Sequence, residues 1–175
     1  MSDHIQDKEA LALIGWQEWC SIEGLSMPAI KAKIDTGART SAIHAVDIKP
    51  FTRDNQLHVS FIVYPLQRNT EVKIECTAPV VDQRSVMSSN GSQEDRYVIR
   101  TDISMGDNRW EIELTLSDRD PLRFRLLLGR EALKGRVLIN PEKKCCLTKL
   151  TSKEINHFYY RGHSHKPKRI HAELD

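Results

Sequence analysis

The run Trp110-Glu111-Ile112-Glu113-Leu114-Thr115-Leu116 places its large apolar side chains on one alternation and both glutamates on the other. An extended strand with one dry face and one wet face accounts for that pattern. Elsewhere apolar residues recur at the same period of two or in short β-branched runs, with turn signals roughly every eight to twelve residues. The chain therefore reads as all-β, a barrel or a sandwich. Strands are predicted over 11–20, 28–35, 42–48, 57–64, 71–77, 97–103, 110–116 and 124–128. One short helix is predicted, starting near Arg130 and stopped by Gly135, a residue suited to a helix C-terminus.

At 175 residues the chain can bury one proper core. Residues 10–150 are expected to form that domain, with residues 1–9 disordered and residues 151–175 a largely unpacked, basic, histidine-rich tail carrying at most one helical turn near 155–160. The net charge of +2 is uneven, because Lys166, Lys168 and Arg169 cluster near the end while the body mixes both signs. The body thus lacks the footprint of a nucleic-acid binder, and nucleic acid is not an expected partner. No apolar run is long enough to span a bilayer, and the polar N-terminus, which carries Asp3 and Asp7, is unlike a signal peptide. A cytoplasmic chain with no membrane partner is expected. The four cysteines, Cys20, Cys76, Cys145 and Cys146, show no Cys-x-x-Cys spacing and are expected to be buried small apolar residues. Trp16, Trp19 and Trp110 are expected in the core or at a subunit interface.

Chemistry concentrates at Asp35-Thr36-Gly37-Ala38, which follows the apolar run Ala29-Ile30-Lys31-Ala32-Lys33-Ile34. A carboxylate at the end of a buried strand, followed by a hydroxyl and a glycine, can sit in a sharp turn with backbone N–H groups near it. Those three letters alone arise by chance in roughly one chain in ten of this size, and Asp, Thr and Gly all favour ordinary turns. A second element adds weight: Phe124-Arg125-Leu126-Leu127-Leu128-Gly129-Arg130-Glu131 is another apolar strand ending in glycine, followed by an arginine.

The pair of elements resembles the retropepsin signature, in which the late strand and its arginine brace the early aspartate loop. More specifically, Lys33-Ile34-Asp35-Thr36-Gly37-Ala38-Arg39-Thr40-Ser41-Ala42-Ile43-His44-Ala45 is similar to the hallmark of a bacterial family labelled ATP-dependent zinc proteases and now regarded as retropepsin-like. The blocks Arg96-Tyr97-Val98-Ile99, Trp110 to Arg119 and Leu127-Leu128-Gly129-Arg130-Glu131-Ala132-Leu133 extend the resemblance over most of residues 11–150. It departs at Asn140-Pro141, where family members commonly carry aspartate before the proline. The resemblance implies a retropepsin-like closed β-barrel with one short helix on its C-terminal side, and an aspartic endopeptidase acting on peptide or protein substrates.

That activity needs two carboxylates sharing a proton, and the chain holds no second Asp-[Ser/Thr]-Gly. A complete dyad is expected from Asp35 of each chain of a homodimer, meeting on a two-fold axis. Thr36, Gly37 and Ala38 would form the loop and line the cleft, with Arg39, Gly129 and Arg130 bracing it. Within the polar stretch 83–95 and just beyond it, Arg84, Ser88, Ser89, Glu94 and Arg96 are candidates for a flap or for substrate contact. His44 is expected to be a hydrogen-bonded strand residue. Neither His-Glu-x-x-His nor a Gly-x-x-x-x-Gly-Lys-[Ser/Thr] loop is present, so no metal site and no cofactor are expected. The alternative is a catalytically silent peptide-binding or regulatory module linked to an ATP-grasp glutamate ligase, a partner with which resembling proteins are often associated.

Overall fold

The computed structural model describes residues 10–88, 90–118 and 123–160. The expectations placed on residues 1–9, on Ser89 and on 161–175, including His163, His165 and His171, lie outside the described residues. Twelve strands and two helices follow in order: β1 (Ala12–Gly15), β2 (Gln17–Ile22), β3 (Met27–Ile34), β4 (Ser41–His44), β5 (Val46–Arg53), β6 (Gln56–Val63), β7 (Ile74–Pro79), β8 (Asp82–Met87), β9 (Gln93–Met105), β10 (Asn108–Ser117), β11 (Leu126–Leu128), α1 (Arg130–Leu133), β12 (Val137–Asn140) and α2 (Ser152–Tyr160). A single 3-10 turn, Glu23–Leu25, joins β2 to β3.

Six strands close on themselves in the order β10-β4-β11-β3-β2-β9, with β9 pairing back onto β10. The closed retropepsin-like barrel implied by the sequence is therefore present, and β8 continues the sheet beyond β9. Closure leaves the six strands without an open edge over their shared length. Ile22, Met27, Ile30, Ile43, Ile99, Ile103, Leu114, Leu116, Leu126 and Leu128 are buried in one continuous core. In β10 the alternation read from the sequence holds, since Trp110, Ile112, Leu114 and Leu116 are buried while Glu111 is exposed. Between β4 and β8 the chain adds a separate meander, β5-β6-β7, whose Val59, Phe61, Val63, Cys76 and Ala78 pack on the same core.

The predicted strand over 11–20 is two strands. The chain breaks at Trp16, β1 pairs in parallel with β12, and β2 enters the barrel. A fully buried carboxylate holds this corner together. Glu18 accepts hydrogen bonds from the backbone N–H groups of Gly15 (2.8 Å), Cys146 (2.6 Å) and Leu147 (3.4 Å). Trp16 and Gln17 donate to the carbonyls of Lys143 and Lys144 across the same contact. Gly15 must be glycine here, because a Cβ would lie 2.4 Å from the Lys143 carbonyl oxygen. Beside Glu18 the Cys20 thiol has its pKa pushed well up, by burial first and then by the neighbouring carboxylate. Cys20 and Cys76 are buried as the sequence suggested, whereas Cys145 is half-buried and Cys146 exposed, because residues 143–147 form an outer strap over the β1–β2 corner.

Residues 151–160 also depart from the unpacked tail read from the sequence. Thr151 and Glu154 cap α2 reciprocally: the Thr151 N–H and hydroxyl donate to the Glu154 carboxylate, and the Glu154 N–H donates to the Thr151 hydroxyl. These bonds hold the Glu154 carboxyl below its usual range. Ile155 is buried with Leu66 and Val72, and Tyr159 and Tyr160 pack against them. β11 pairs with β3 only from Ala32 onward, so Ala29, whose backbone groups point to that side, has no strand partner there among the described residues. The Tyr159 hydroxyl fills that gap, donating to the Ala29 carbonyl and accepting from the Ala29 N–H. Buried backbone groups need such partners, so the docked helix completes the barrel wall.

Candidate active site

β11 lies parallel to β3 with Ile34 opposite Leu128, so Asp35 is the first residue past the paired strands. Its N–H still donates to the Leu128 carbonyl at 2.9 Å, which fixes where the loop leaves the barrel. The chain then turns back sharply: the Ala38 N–H donates to the Asp35 carbonyl (3.2 Å) and the Gly37 N–H to Asp35 Oδ1 (2.9 Å). A carboxylate that accepts from its own loop is held in one rotamer. Asp35 and Ala38 are half-buried, and Thr36 and Gly37 are exposed at the loop's tip.

The second element sits against the first. Arg130 Nη1 donates to the carbonyls of Thr36 (2.8 Å) and Gly37 (3.2 Å). The N–H groups that open α1 also find partners in the loop, Arg130 donating to Ala38 and Glu131 to Arg39. These are helix-start donors, which the helix itself cannot satisfy. Arg39 reaches Glu131 only at 3.9 Å with both side chains exposed, a contact worth little. Gly129 lets the two elements touch: a Cβ there would lie 2.7 Å from the Thr40 carbonyl oxygen and 2.9 Å from that of Ala38. Gly129→Ala is accordingly expected to cost about 2 kcal/mol in urea unfolding through overpacking and to displace the loop. Unchanged stability and cleavage in that variant would contradict the close approach.

The polar stretch after Asp82 is a hairpin and not an irregular loop. β8 and β9 pair from Asp82–Val98 to Met87–Gln93, and the turn is closed by the Ser88 N–H on the Ser92 carbonyl with Gly91 at φ +82°. Ser88, Asn90 and Ser92 bond one another at its tip. Arg84 and Arg96, read from the sequence as candidates for substrate contact, are both committed to carboxylates. Arg84 bridges Glu113 (2.6 Å) and Asp82 (2.7 Å), and hydrogen bonding to it holds both carboxyls below their usual range. Arg96 is nearly buried and holds Glu94 through Nε and Nη2.

A chain of hydrogen bonds runs from this hairpin to the aspartate loop. Arg96 donates to the Thr115 hydroxyl (3.4 Å), Thr115 donates to the Ser41 carbonyl (2.8 Å), and Ser41 Oγ accepts from the Gly129 N–H (3.0 Å). Ser117 adds a bond to Glu94. Sequence reading missed Ser41, Thr115 and Ser117. One signal was present for Thr115: it shares the outward alternation of Glu111 and Glu113, yet is 1% exposed because β4 and the hairpin cover it. Beside these residues lies an open cleft of about 470 Å³ lined by Arg39, Thr40, Ser41, Arg84, Arg100 and Glu113 among others. His44 sits half-buried in β4, its N–H on the Arg125 carbonyl. Among the described residues no three His, Cys, Asp or Glu side chains converge as a metal site would require, and no helix is long and apolar enough to cross a membrane.

A family model described as retropepsin-like aspartic endopeptidase RimB matches residues 13–149, which include both elements of the site. The chain belongs to the RimB-like family. Relatives of this RimB-like chain include proteins named "Probable alpha-L-glutamate ligase". One from Shewanella pealeana is 46% identical over 147 residues, covering 84% of this chain and 32% of its own. Another from Desulfotalea psychrophila is 44% identical over 157 residues, covering 90% and 34%. The RimB-like chain thus spans about a third of the length of these curated relatives. A crystal structure of a Legionella pneumophila protein of unknown function, Lpg0085 (DUF785), shares the fold at a TM-score of 0.64 and 23% identity, covering 78% of this chain and 98% of that one.

Proposed function

We propose that this chain is an aspartic endopeptidase whose active site is completed by a second copy, with the two Asp35 carboxyls facing each other across a two-fold axis. The observation that carries the reading is the single Asp-Thr-Gly loop, rotamer-locked at the end of β3 and braced by Gly129 and Arg130, in a family described as aspartic endopeptidases. In the reaction one ionised Asp35 takes a proton from water as its oxygen attacks the scissile carbonyl carbon. The partner's Asp35, protonated, gives its proton to the carbonyl oxygen. Collapse of the tetrahedral adduct breaks the C–N bond, and the leaving amine takes a proton from the dyad. The β8–β9 hairpin is the flap that closes over the peptide and excludes water. Its coupling to the loop through Arg96, Thr115 and Ser41 is the route by which closure is felt at Asp35.

The resemblance to proteins named as glutamate ligases supports glutamate-containing peptides as the first substrates to try. The test is incubation of the purified chain with glutamate-rich peptides and with denatured casein, read by mass spectrometry. New termini that disappear with Asp35→Asn support the reading. Those relatives also favour a second reading, a silent peptide-binding module acting beside an ATP-grasp ligase. Tight peptide binding with no new termini would select it.

A further inference from the structure

α2 lies beyond residues 13–149, the span that the family model matches, yet it reaches the strand that leads into Asp35. Successive residues of a strand turn their backbone groups to opposite sides. The Ile34 N–H donates to Trp16 on the β2 side and the Asp35 N–H to Leu128 on the β11 side, so Ala29, on the same alternation as Asp35, faces the β11 side. β11 is short, and its pairing with β3 runs only from Ala32 to Ile34. Further back along that edge the Tyr159 hydroxyl accepts from the Ala29 N–H at 3.1 Å and donates to the Ala29 carbonyl. Tyr159 thus extends the hold of β11 on the strand, supplying both bonds that a paired residue would make. Burial pushes the Tyr159 phenol well above its ordinary pKa, so the hydroxyl keeps the proton it donates.

The helix that brings Tyr159 there is lightly held. Of its nine residues Ile155 alone is buried, against Leu66 and Val72, and Asn69 Nδ2 adds one bond to the Tyr160 hydroxyl at 3.3 Å. A helix this short is not stable by itself in water, so α2 is helical when docked and melts when released. We propose that α2 is a releasable latch on the catalytic strand and that Tyr159 is a positioning residue for Asp35, acting through the backbone of Ala29. The proposal rests on the aspartic-endopeptidase reading and adds a regulatory element to it. With the latch docked, the β11 edge of β3 is fixed from Ala29 to Asp35. With the latch released, the Ala29 groups lose their partner, β11 holds that edge alone, and the Asp35 loop leaves its productive geometry. A displacement of about 1 Å at a reacting group is enough to cost about a hundredfold in rate.

The test is amide hydrogen exchange on the full chain, with cleavage kinetics beside it. Tyr159→Phe keeps the ring in its apolar seat and removes only the hydroxyl. Exchange is expected to quicken about tenfold at the Ala29 N–H and about fivefold at the Asp35 N–H, with kcat about tenfold lower and KM within about twofold. Glu154→Ala removes the α2 cap at an exposed site and is expected to move the two exchange rates and kcat the same way by about threefold each. If Tyr159→Phe fails to fold, Glu154→Ala carries the test. Val59→Ala weakens the core from the meander, where Val59 pairs with β5 and β7 residues, and should leave Asp35 exchange and kcat within about twofold of wild type. Asp35 exchange unchanged in a folded Tyr159→Phe protein, or equally quickened by Val59→Ala, would overturn the proposal. The two readings separate cleanly. Exchange that shifts as expected in a chain that never cuts peptide sinks the protease reading alone, and a cutting chain whose kcat is indifferent to Tyr159→Phe sinks the latch alone.

Discussion

Asp35→Asn is expected to reduce peptide cleavage by at least about a thousandfold while leaving the fold and the dimer intact. Asparagine has the same shape, so its Oδ1 can still accept from the Gly37 N–H at the 2.9 Å position, and the Arg130 bonds to Thr36 and Gly37 carbonyls involve backbone only. What is lost is the ability to take and give a proton. Cleavage rates before and after substitution, with thermal unfolding as a control, decide the matter. Cleavage that survives in a folded Asp35→Asn protein would place the chemistry elsewhere.

Glu18→Ala is expected to give the largest loss of stability, about 3–5 kcal/mol in urea unfolding. Removing the carboxylate leaves the N–H groups of Gly15, Cys146 and Leu147 without their acceptor; a buried unmet group, as at Gly15, costs about 1–3 kcal/mol, the part-buried ones on the strap less, with a further contribution from the cavity. Glu18→Gln keeps one acceptor oxygen and turns an N–H₂ group toward the remaining donors, so an intermediate loss is expected. The strap over 143–147 should loosen first, seen as faster hydrogen exchange at Cys146 and Leu147. A Glu18→Ala protein as stable as the wild type would mean that the strap is held by the Trp16 and Gln17 backbone bonds alone.

The site's two elements were legible because each is local: an apolar strand running into Asp35-Thr36-Gly37, and another running into Gly129-Arg130. Their contact is read from a resemblance, but its physical cause, the absence of a Cβ at Gly129, needs the fold. Glu18 was hidden because two of its three partners lie 128 and 129 residues away and because a glutamate inside a strand looks like its wet face. β8 was missed for a related reason. Among the described residues it pairs with β9 alone, so Asp82–Met87 carries little of the apolar alternation that reveals inner strands. The break at Trp16 was masked because apolar residues flank it on both sides, Leu11 to Ile14 before it and Trp19-Cys20 after it. α2 was readable in principle, since Thr151-Ser152-Lys153-Glu154 has the spacing of a capping box. The basic, polar composition around it outweighed that signal.

The central claim is that one active site needs Asp35 from two chains, and subunit mixing tests it most directly. Wild-type and Asp35→Asn chains are equilibrated at varied ratios and fixed total concentration, and cleavage is measured at each. If both carboxyls are required, activity follows the square of the wild-type fraction, falling to about one quarter at equal parts. Activity proportional to the wild-type fraction, about one half at equal parts, would show that a single chain suffices and would contradict the shared dyad.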